Sequence, residues 1–146
     1  MIAATGIAEE ILELKAERRA ILLAHHYQEP EIQDLADAVG DSLELARKAR
    51  DFEGGVIAFC GVRFMAETAK ILNPDRIVVV PDAEASCSLV ESCPTEPIRA
   101  YRRRHPDHVI VSYINTSAEV KAESDILCTS RNAVKVVRSI PPDKTI

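Results

Sequence analysis

Ile77-Val-Val-Val80, followed by Pro81-Asp-Ala-Glu-Ala-Ser-Cys-Ser-Leu-Val-Glu-Ser-Cys-Pro94, is the stretch that decides the fold. An unbroken run of β-branched residues ahead of a turn-forming proline reads as a buried parallel strand. The strand delivers a thiol, Cys87, just past its carboxyl end and at the start of a short helix. In open α/β sheets that edge is where ligands bind, and a helix start favours the thiolate that ligates metal. Taken alone, Cys87 is better read as an idle or buried cysteine, and the other segments change that reading.

Working outward, strands and helices alternate. Ile7–Arg19 carries the apolar spacing of a surface helix and runs into a strand, Ala20–Ala24. Glu29-Pro30 forms a turn, Glu31–Val39 reads as helix, and Gly40 as its stop. Asp41 or Ser42 caps a helix over Leu43–Arg50. A strand at Val56–Cys60 and a helix over Val62–Leu72 lead to Ile77. Beyond Cys87 come a basic helix, Glu96–Arg104, a strand, Val109–Tyr113, and a helix, Ala118–Glu123, capped from Asn115-Thr116-Ser117. A brief strand at Ile126–Cys128 precedes a helix capped by Ser130 and running to Arg138. The alternation predicts a parallel α/β sheet with right-handed crossovers.

The chain also echoes itself. A shift of 88 positions lays Ile21–Ala24 on Val109–Ser112 and His25-x-Tyr27 on Tyr113-x-Asn115. The same shift matches Glu31 with Glu119, Asp37 with Asp125, Ser42 with Ser130 and Arg50 with Arg138. In each unit two polar side chains leave a strand's carboxyl end, and a serine at a helix start follows fifteen residues after the second. The strand at Val56 then corresponds to a segment starting near Lys144, so the echo predicts a second unit that is unfinished at Ile146.

Composition narrows the class. The 146 residues suit one ordinary domain, with 47% hydrophobic and 28% charged residues. A net charge of −5 gives no electrostatic case for nucleic acid or an anionic membrane. No apolar run approaches the roughly 20 residues of a membrane span. Met1–Glu10 lacks the basic start and apolar core of a signal peptide, so a cytoplasmic protein with four thiols is expected.

Candidate chemistry gathers at the strand ends. Helix starts at Ser42 and Ser130 offer backbone N–H groups and a hydroxyl to phosphate or carboxylate, although a plain cap accounts for each serine. His25 and Tyr27, like Tyr113 and Asn115, alternate along an extended segment and so share a side. A His–Tyr pair can move protons in enolisation or imine chemistry, and a structural histidine at a strand end is the other reading. His105 and His108 lie in a polar turn. Cys60 and Cys128 read as small core residues. Cys87-x5-Cys93 matches no compact cluster spacing. Arg63, Glu67 and Lys70 form an ion-pair ladder on one helix face.

Several stretches are familiar as words. Ala24-His-His-Tyr-Gln28 with Glu31-Ile-Gln-Asp34, Val39-Gly-Asp-Ser-Leu-Glu-Leu-Ala-Arg47 and Phe59-Cys-Gly-Val-Arg-Phe-Met-Ala-Glu-Thr-Ala-Lys-Ile-Leu-Asn-Pro74 resemble the opening of quinolinate synthase. So do Pro81-Asp-Ala-Glu-Ala-Ser-Cys-Ser-Leu89, Tyr113-Ile-Asn-Thr-Ser-Ala-Glu-Val-Lys121 and Cys128-Thr-Ser-Arg-Asn-Ala-Val-Lys-Val-Val137. The resemblance covers nearly the whole chain and about the N-terminal half of the family's length.

The resemblance implies parallel-sheet αβα domains, pseudo-repeated around a threefold axis, with residues 1–95 as the first and 96–146 as an incomplete second. It implies a transferase of NAD biosynthesis that condenses iminoaspartate with dihydroxyacetone phosphate to quinolinate, releasing phosphate and water. L-aspartate oxidase would supply the iminoaspartate. A [4Fe–4S] cluster would take Cys87 as its first ligand, with the other ligands beyond residue 146. His25, Tyr27 and Tyr113 would be catalytic, and His25, Ser42, Tyr113, Asn115 and Ser130 would bind substrate. Arg63, Cys60, Cys93 and Cys128 receive no role, and this chain alone is expected to be inactive. Two other readings stay open: a truncated module that binds without catalysis, and an oligomeric iron–sulfur protein whose copies share Cys87.

Overall fold

The computed structural model describes the backbone of residues 3–146 and the side chains of residues 6–146. It divides between Ala85 and Ser86 into two units, which places Cys87 in the second. The elements of the first are α1 (Ala3–Glu17), β1 (Ala20–His25), α2 (Pro30–Leu35), β2 (Ala38–Gly40), α3 (Ser42–Asp51), β3 (Val56–Cys60), α4 (Arg63–Leu72) and β4 (Ile77–Val79). Its four strands form one parallel sheet in the order β2-β1-β3-β4.

Both faces of this sheet are covered, as parallel pairing requires. Leu22 and Ala24 of β1 and Cys60 of β3 pack with Ile11 of α1 and Ile32 of α2. Side chains alternate along a strand, so Leu23, Ile57 and Phe59, all fully buried, serve the opposite face. There α3 supplies Leu45, Ala46 and Ala49, and α4 supplies Phe64, Met65 and Ala69. The turn into β3 needs Gly54, where a Cβ would sit 2.2 Å from the Arg19 carbonyl oxygen and 2.0 Å from the Phe52 ring.

Two expectations fail here. Ala38-Val39-Gly40 is a strand, and α2 stops at Leu35. Pairing with β1 at Leu23↔Ala38, Ala24↔Val39 and His25↔Gly40 outweighs the helical spacing of the apolar residues. The Ile77 strand is parallel but not buried: it is the outermost of four, and Ile77 is 61% exposed.

The second unit holds α5 (Ser88–Glu91), α6 (Thr95–Arg104), β5 (Val111–Tyr113), α7 (Ala118–Ala122), β6 (Ile126–Cys128) and α8 (Ala133–Ser139). Strands β5 and β6 pair in parallel at Val111↔Ile126, Ser112↔Leu127 and Tyr113↔Cys128. Every one of these pairs is a β1–β2 pair displaced by 88 residues. The helices follow the same displacement, α6 answering α1, α7 answering α2 and α8 answering α3.

The echo extends to a side-chain lock. In the first unit the Asp37 amide donates to the Leu22 carbonyl at 2.8 Å, and Asp37 Oδ2 accepts from the Leu22 amide at 2.8 Å. Lys15 of α1 donates to Asp37 Oδ1 at 2.9 Å and to the Leu35 carbonyl at 3.0 Å. Asp125, Ile110, Arg102 and Glu123 repeat the arrangement. The Asp125 amide donates to the Ile110 carbonyl at 2.9 Å, and Asp125 Oδ2 accepts from the Ile110 amide at 2.9 Å. Arg102 of α6 donates to Asp125 Oδ2 at 2.7 Å and to the Glu123 carbonyl at 2.8 Å. In each case the cation holds a carbonyl that a parallel ladder would otherwise use, and the carboxylate takes its place.

The β5–β6 ladder is shorter than the expected strand from Val109. The Val109 amide donates instead to the Thr145 carbonyl at 2.8 Å, and these two residues lie 88 positions past the Ile21↔Ile57 pair of β1 and β3.

Candidate functional site

The carboxyl ends of β1, β2 and β3 share one edge of the first sheet because all three run the same way. His25 closes β1 opposite Gly40 and is half-buried. The chain then turns, the Gln28 amide donating to the His25 carbonyl at 2.9 Å. His25 and Tyr27 therefore meet through a turn rather than through strand alternation, with ring centroids 3.9 Å apart. The Tyr27 amide donates to His25 Nδ1 at 3.4 Å, which leaves the proton of the neutral ring on Nε2. Burial pushes the His25 pKa down, the neighbouring His26 pushes it further, and Asp41 opposes both. The Tyr27 hydroxyl reaches Met65 Sδ, in the first turn of α4, at 4.0 Å.

The helix start beside them is more occupied than the sequence suggested. Asp41, not Ser42, is the cap of α3. Its Oδ1 accepts from the amides of Leu43 at 2.8 Å and Glu44 at 2.9 Å, while Glu44 Oε2 accepts from the Asp41 amide at 3.1 Å. This capping box fills two of the amides an anion would use and sets a carboxylate there. Ser42 is the first helical residue of α3.

The second unit repeats the edge in part. Tyr113 closes β5 opposite Cys128 and is exposed, and Asn115 is half-buried. Ser130 does not cap α8, which begins at Ala133 after a turn. The amides of Asn132 and Ala133 both donate to the Thr129 carbonyl, at 3.1 and 2.9 Å. Thr129 thus stands where Asp41 stands in the first unit, since the Leu45 amide donates to the Asp41 carbonyl at 3.0 Å. Ser42 and Ser130 remain equivalent, each one residue past that acceptor. Asn132 Oδ1 turns back to the Thr129 amide at 2.7 Å.

Cys87 is the cap residue of α5 and half-buried, its carbonyl accepting from Val90 at 2.9 Å and Glu91 at 3.1 Å. In the first unit the Arg63 amide at the start of α4 donates to the Ala85 carbonyl at 2.8 Å. Arg63 itself pairs with Glu67 at 2.9 Å. Cys60 is buried and its thiol pKa is pushed up by burial, whereas Cys93 and Cys128 are half-buried.

The family model described as quinolinate synthetase A protein matches residues 9–146. The chain belongs to that family. Among its relatives, the quinolinate synthase of Prochlorococcus marinus (strain MIT 9313) is 57% identical over 93% of this chain and 41% of its own length. That of Nostoc punctiforme is 60% identical over 93% of this chain and 42% of its own length. That of Synechocystis sp. is 57% identical over 93% of this chain and 43% of its own length. The chain thus spans about two fifths of the quinolinate synthases it matches. The parallel α/β architecture is the one the resemblance implied.

The resemblance implied an iron–sulfur cluster, and its donors are sought among the cysteines. A half-buried thiol at the start of a one-turn helix suits a single ligand. Among the described residues no three or more His, Cys, Asp or Glu side chains converge as a metal site. Within this chain, then, Cys87 fits one corner of a cluster and the described residues supply no complete set. No helix of the described residues is long and apolar enough to cross a membrane.

Sequence reasoning passed over Thr116 and Lys121. Both are buried, the Lys121 ammonium donates to the Thr116 carbonyl, and Thr116 Oγ1 has no hydrogen-bond partner. A lysine on a five-residue helix reads as solvated, so only its place five residues past Thr116 could have flagged it.

Proposed function

We propose that this chain is the amino-terminal portion of a quinolinate synthase, a cytoplasmic transferase of NAD biosynthesis that joins iminoaspartate to dihydroxyacetone phosphate and releases phosphate and water. The supporting observation is the 57–60% identity to quinolinate synthases across 93% of the chain. L-aspartate oxidase is the proposed source of iminoaspartate. Residues 1–95 are the proposed first α/β domain and 96–146 the beginning of a second.

In this reading His25 is the proton carrier. Its depressed pKa keeps the ring neutral near pH 7, ready to take a proton as condensation proceeds. Tyr27, tilted against it, donates its hydroxyl to a substrate oxygen, and Tyr113 is a further proposed catalytic residue. Asn115 and the hydroxyls of Ser42 and Ser130 hold carboxylate or phosphate oxygens. Cys87 is one ligand of a [4Fe–4S] cluster whose remaining ligands lie outside this sequence. The cluster supplies a Lewis-acidic iron to the substrate.

A chimera tests the reading. This chain replaces the matching two fifths of the Synechocystis enzyme, and quinolinate formation is measured anaerobically. Activity within about tenfold of the parent is expected, with His25→Ala lowering it by about 10²-fold or more. A folded, cluster-loaded chimera that makes no quinolinate would sink the proposal. Iron and sulfide of the chimera, against Cys87→Ala, test the ligand separately, and cluster retention in that variant would remove Cys87 from it.

A further inference from the structure

Two side chains at equivalent places in the two units hold the backbone of the strand-end loops. In the first unit Gln33 of α2 donates through Nε2 to the His26 carbonyl at 3.0 Å and the Gln28 carbonyl at 2.7 Å. Those carbonyls flank Tyr27. In the second unit Lys121 of α7 donates to the carbonyl of Thr116, which directly follows Asn115. Gln33 and Lys121 differ by 88 residues, as do Gln28 and Thr116, and as do Tyr27 and Asn115. The same backbone acceptor is thus met from the same helical position by two unlike side chains.

The chemistry explains why the residue type can differ while the placement does not. A carbonyl oxygen asks only for a donor of sufficient reach, and amide and ammonium both qualify. Lys121 is only 8% exposed, and an ammonium so placed is tolerated when its hydrogen bonds are made. Gln33 is half-buried and ties two carbonyls with one nitrogen, which fixes the peptide plane ahead of Tyr27 and the one that follows Gln28. With those planes fixed, the Tyr27 ring stays against His25 at 3.9 Å.

We propose that Gln33 and Lys121 are positioning residues, each clipping a strand-end loop so that Tyr27 and Asn115 are presented at their sheet edges. The functional side of this rests on the reading above, that these loops face substrate. The clip itself does not.

The test uses the 146-residue chain, with amide hydrogen exchange read residue by residue by NMR. Gln33→Met and Lys121→Met remove the donors, whereas Gln33→Lys and Lys121→Gln exchange the two units' solutions. In Gln33→Met the Tyr27 and Gln28 amides are expected to exchange about tenfold faster, and in Lys121→Met the Thr116 amide, which donates to the Ile114 carbonyl. Core amides of Leu23 and Ile57 stay unchanged, and in Gln33→Met the His25 titration rises toward its ordinary 6.5. The swaps leave the loop amides within about threefold of the original chain.

Methionine variants whose loop amides stay slow would overturn the proposal. So would loop and core amides accelerating in equal proportion, which marks a general loss of stability. Should a methionine variant fail to fold, the swaps decide: slow loop amides support the clip and fast ones overturn it. No substrate enters this measurement, so an inactive chimera leaves its result intact.

Discussion

Removing the carboxylate of Asp125 should loosen the start of β5 by a calculable amount. Asp125 Oδ2 accepts from the Ile110 amide at 2.9 Å and from Arg102 at 2.7 Å. In Asp125→Ala the half-buried Ile110 amide loses its acceptor, a cost of about 1–2 kcal/mol. The ion pair adds less than about 1 kcal/mol, because the Asp125 and Arg102 side chains are 41% and 30% exposed. About 2 kcal/mol in all corresponds to roughly thirtyfold faster exchange of the Ile110 amide. Asp125→Asn keeps an oxygen for Ile110 and gives up only the charge, so it should fall between the two. The acid response has a definite sign. The Ile110 amide, and then Arg102, hold the Asp125 pKa below its ordinary 3.8. The stabilisation is therefore complete above 3.8 and is lost as pH falls through the lower folded value. Amide exchange at pH 7, with urea midpoints at pH 7 and pH 3, measures both effects. An Ile110 amide that exchanges equally fast with aspartate and alanine would refute the lock.

Three further outcomes are expected. Asp41→Ala should cost about 1 kcal/mol in urea unfolding through loss of the α3 cap, while Ser42→Ala costs less than half of that because Asp41 carries the capping. His26→Ala should raise the His25 titration midpoint and Asp41→Asn should lower it, as read by NMR. The neutral His25 stabilises fully above its ordinary 6.5 and loses that contribution as pH falls toward the lower folded value. Cys60, buried and with its pKa raised, should be alkylated last of the four cysteines in mass mapping of the native chain, and labelling as fast as Cys87 would contradict its core placement.

Much of the fold was legible because it rests on local patterns. β1 and β3 are runs of apolar residues, and α4 ends at Asn73-Pro74, where a helix has to stop. The echo was legible from Asp37 and Asp125, whose carboxylates do the same work in both units. Strand β2 was not, because Leu35, Ala36 and Val39 also fit a helix and only pairing with β1 decides between them. The proximity of His25 and Tyr27 was legible, although a turn rather than an extended strand brings their rings together. At Ser42 the Asp41-x-x-Glu44 capping signature was available and outranks a serine one position later. Gln33 left no trace, since its partners are backbone carbonyls that no residue type reveals, and Lys121 had only its spacing from Thr116 to flag it.

The paired strands nearest in sequence also bear on the order of folding. Leu23 meets Ala38 after fifteen residues, whereas Ala20 meets Val56 after thirty-six, and the second unit keeps the short link between Val111 and Ile126. Closing the longer link costs about 0.8 kcal/mol more in chain entropy. Each short β-α-β hook is fastened by its own aspartate and closes at the lower entropy cost. The second unit repeats that short link, so the lower closure cost occurs twice along one chain.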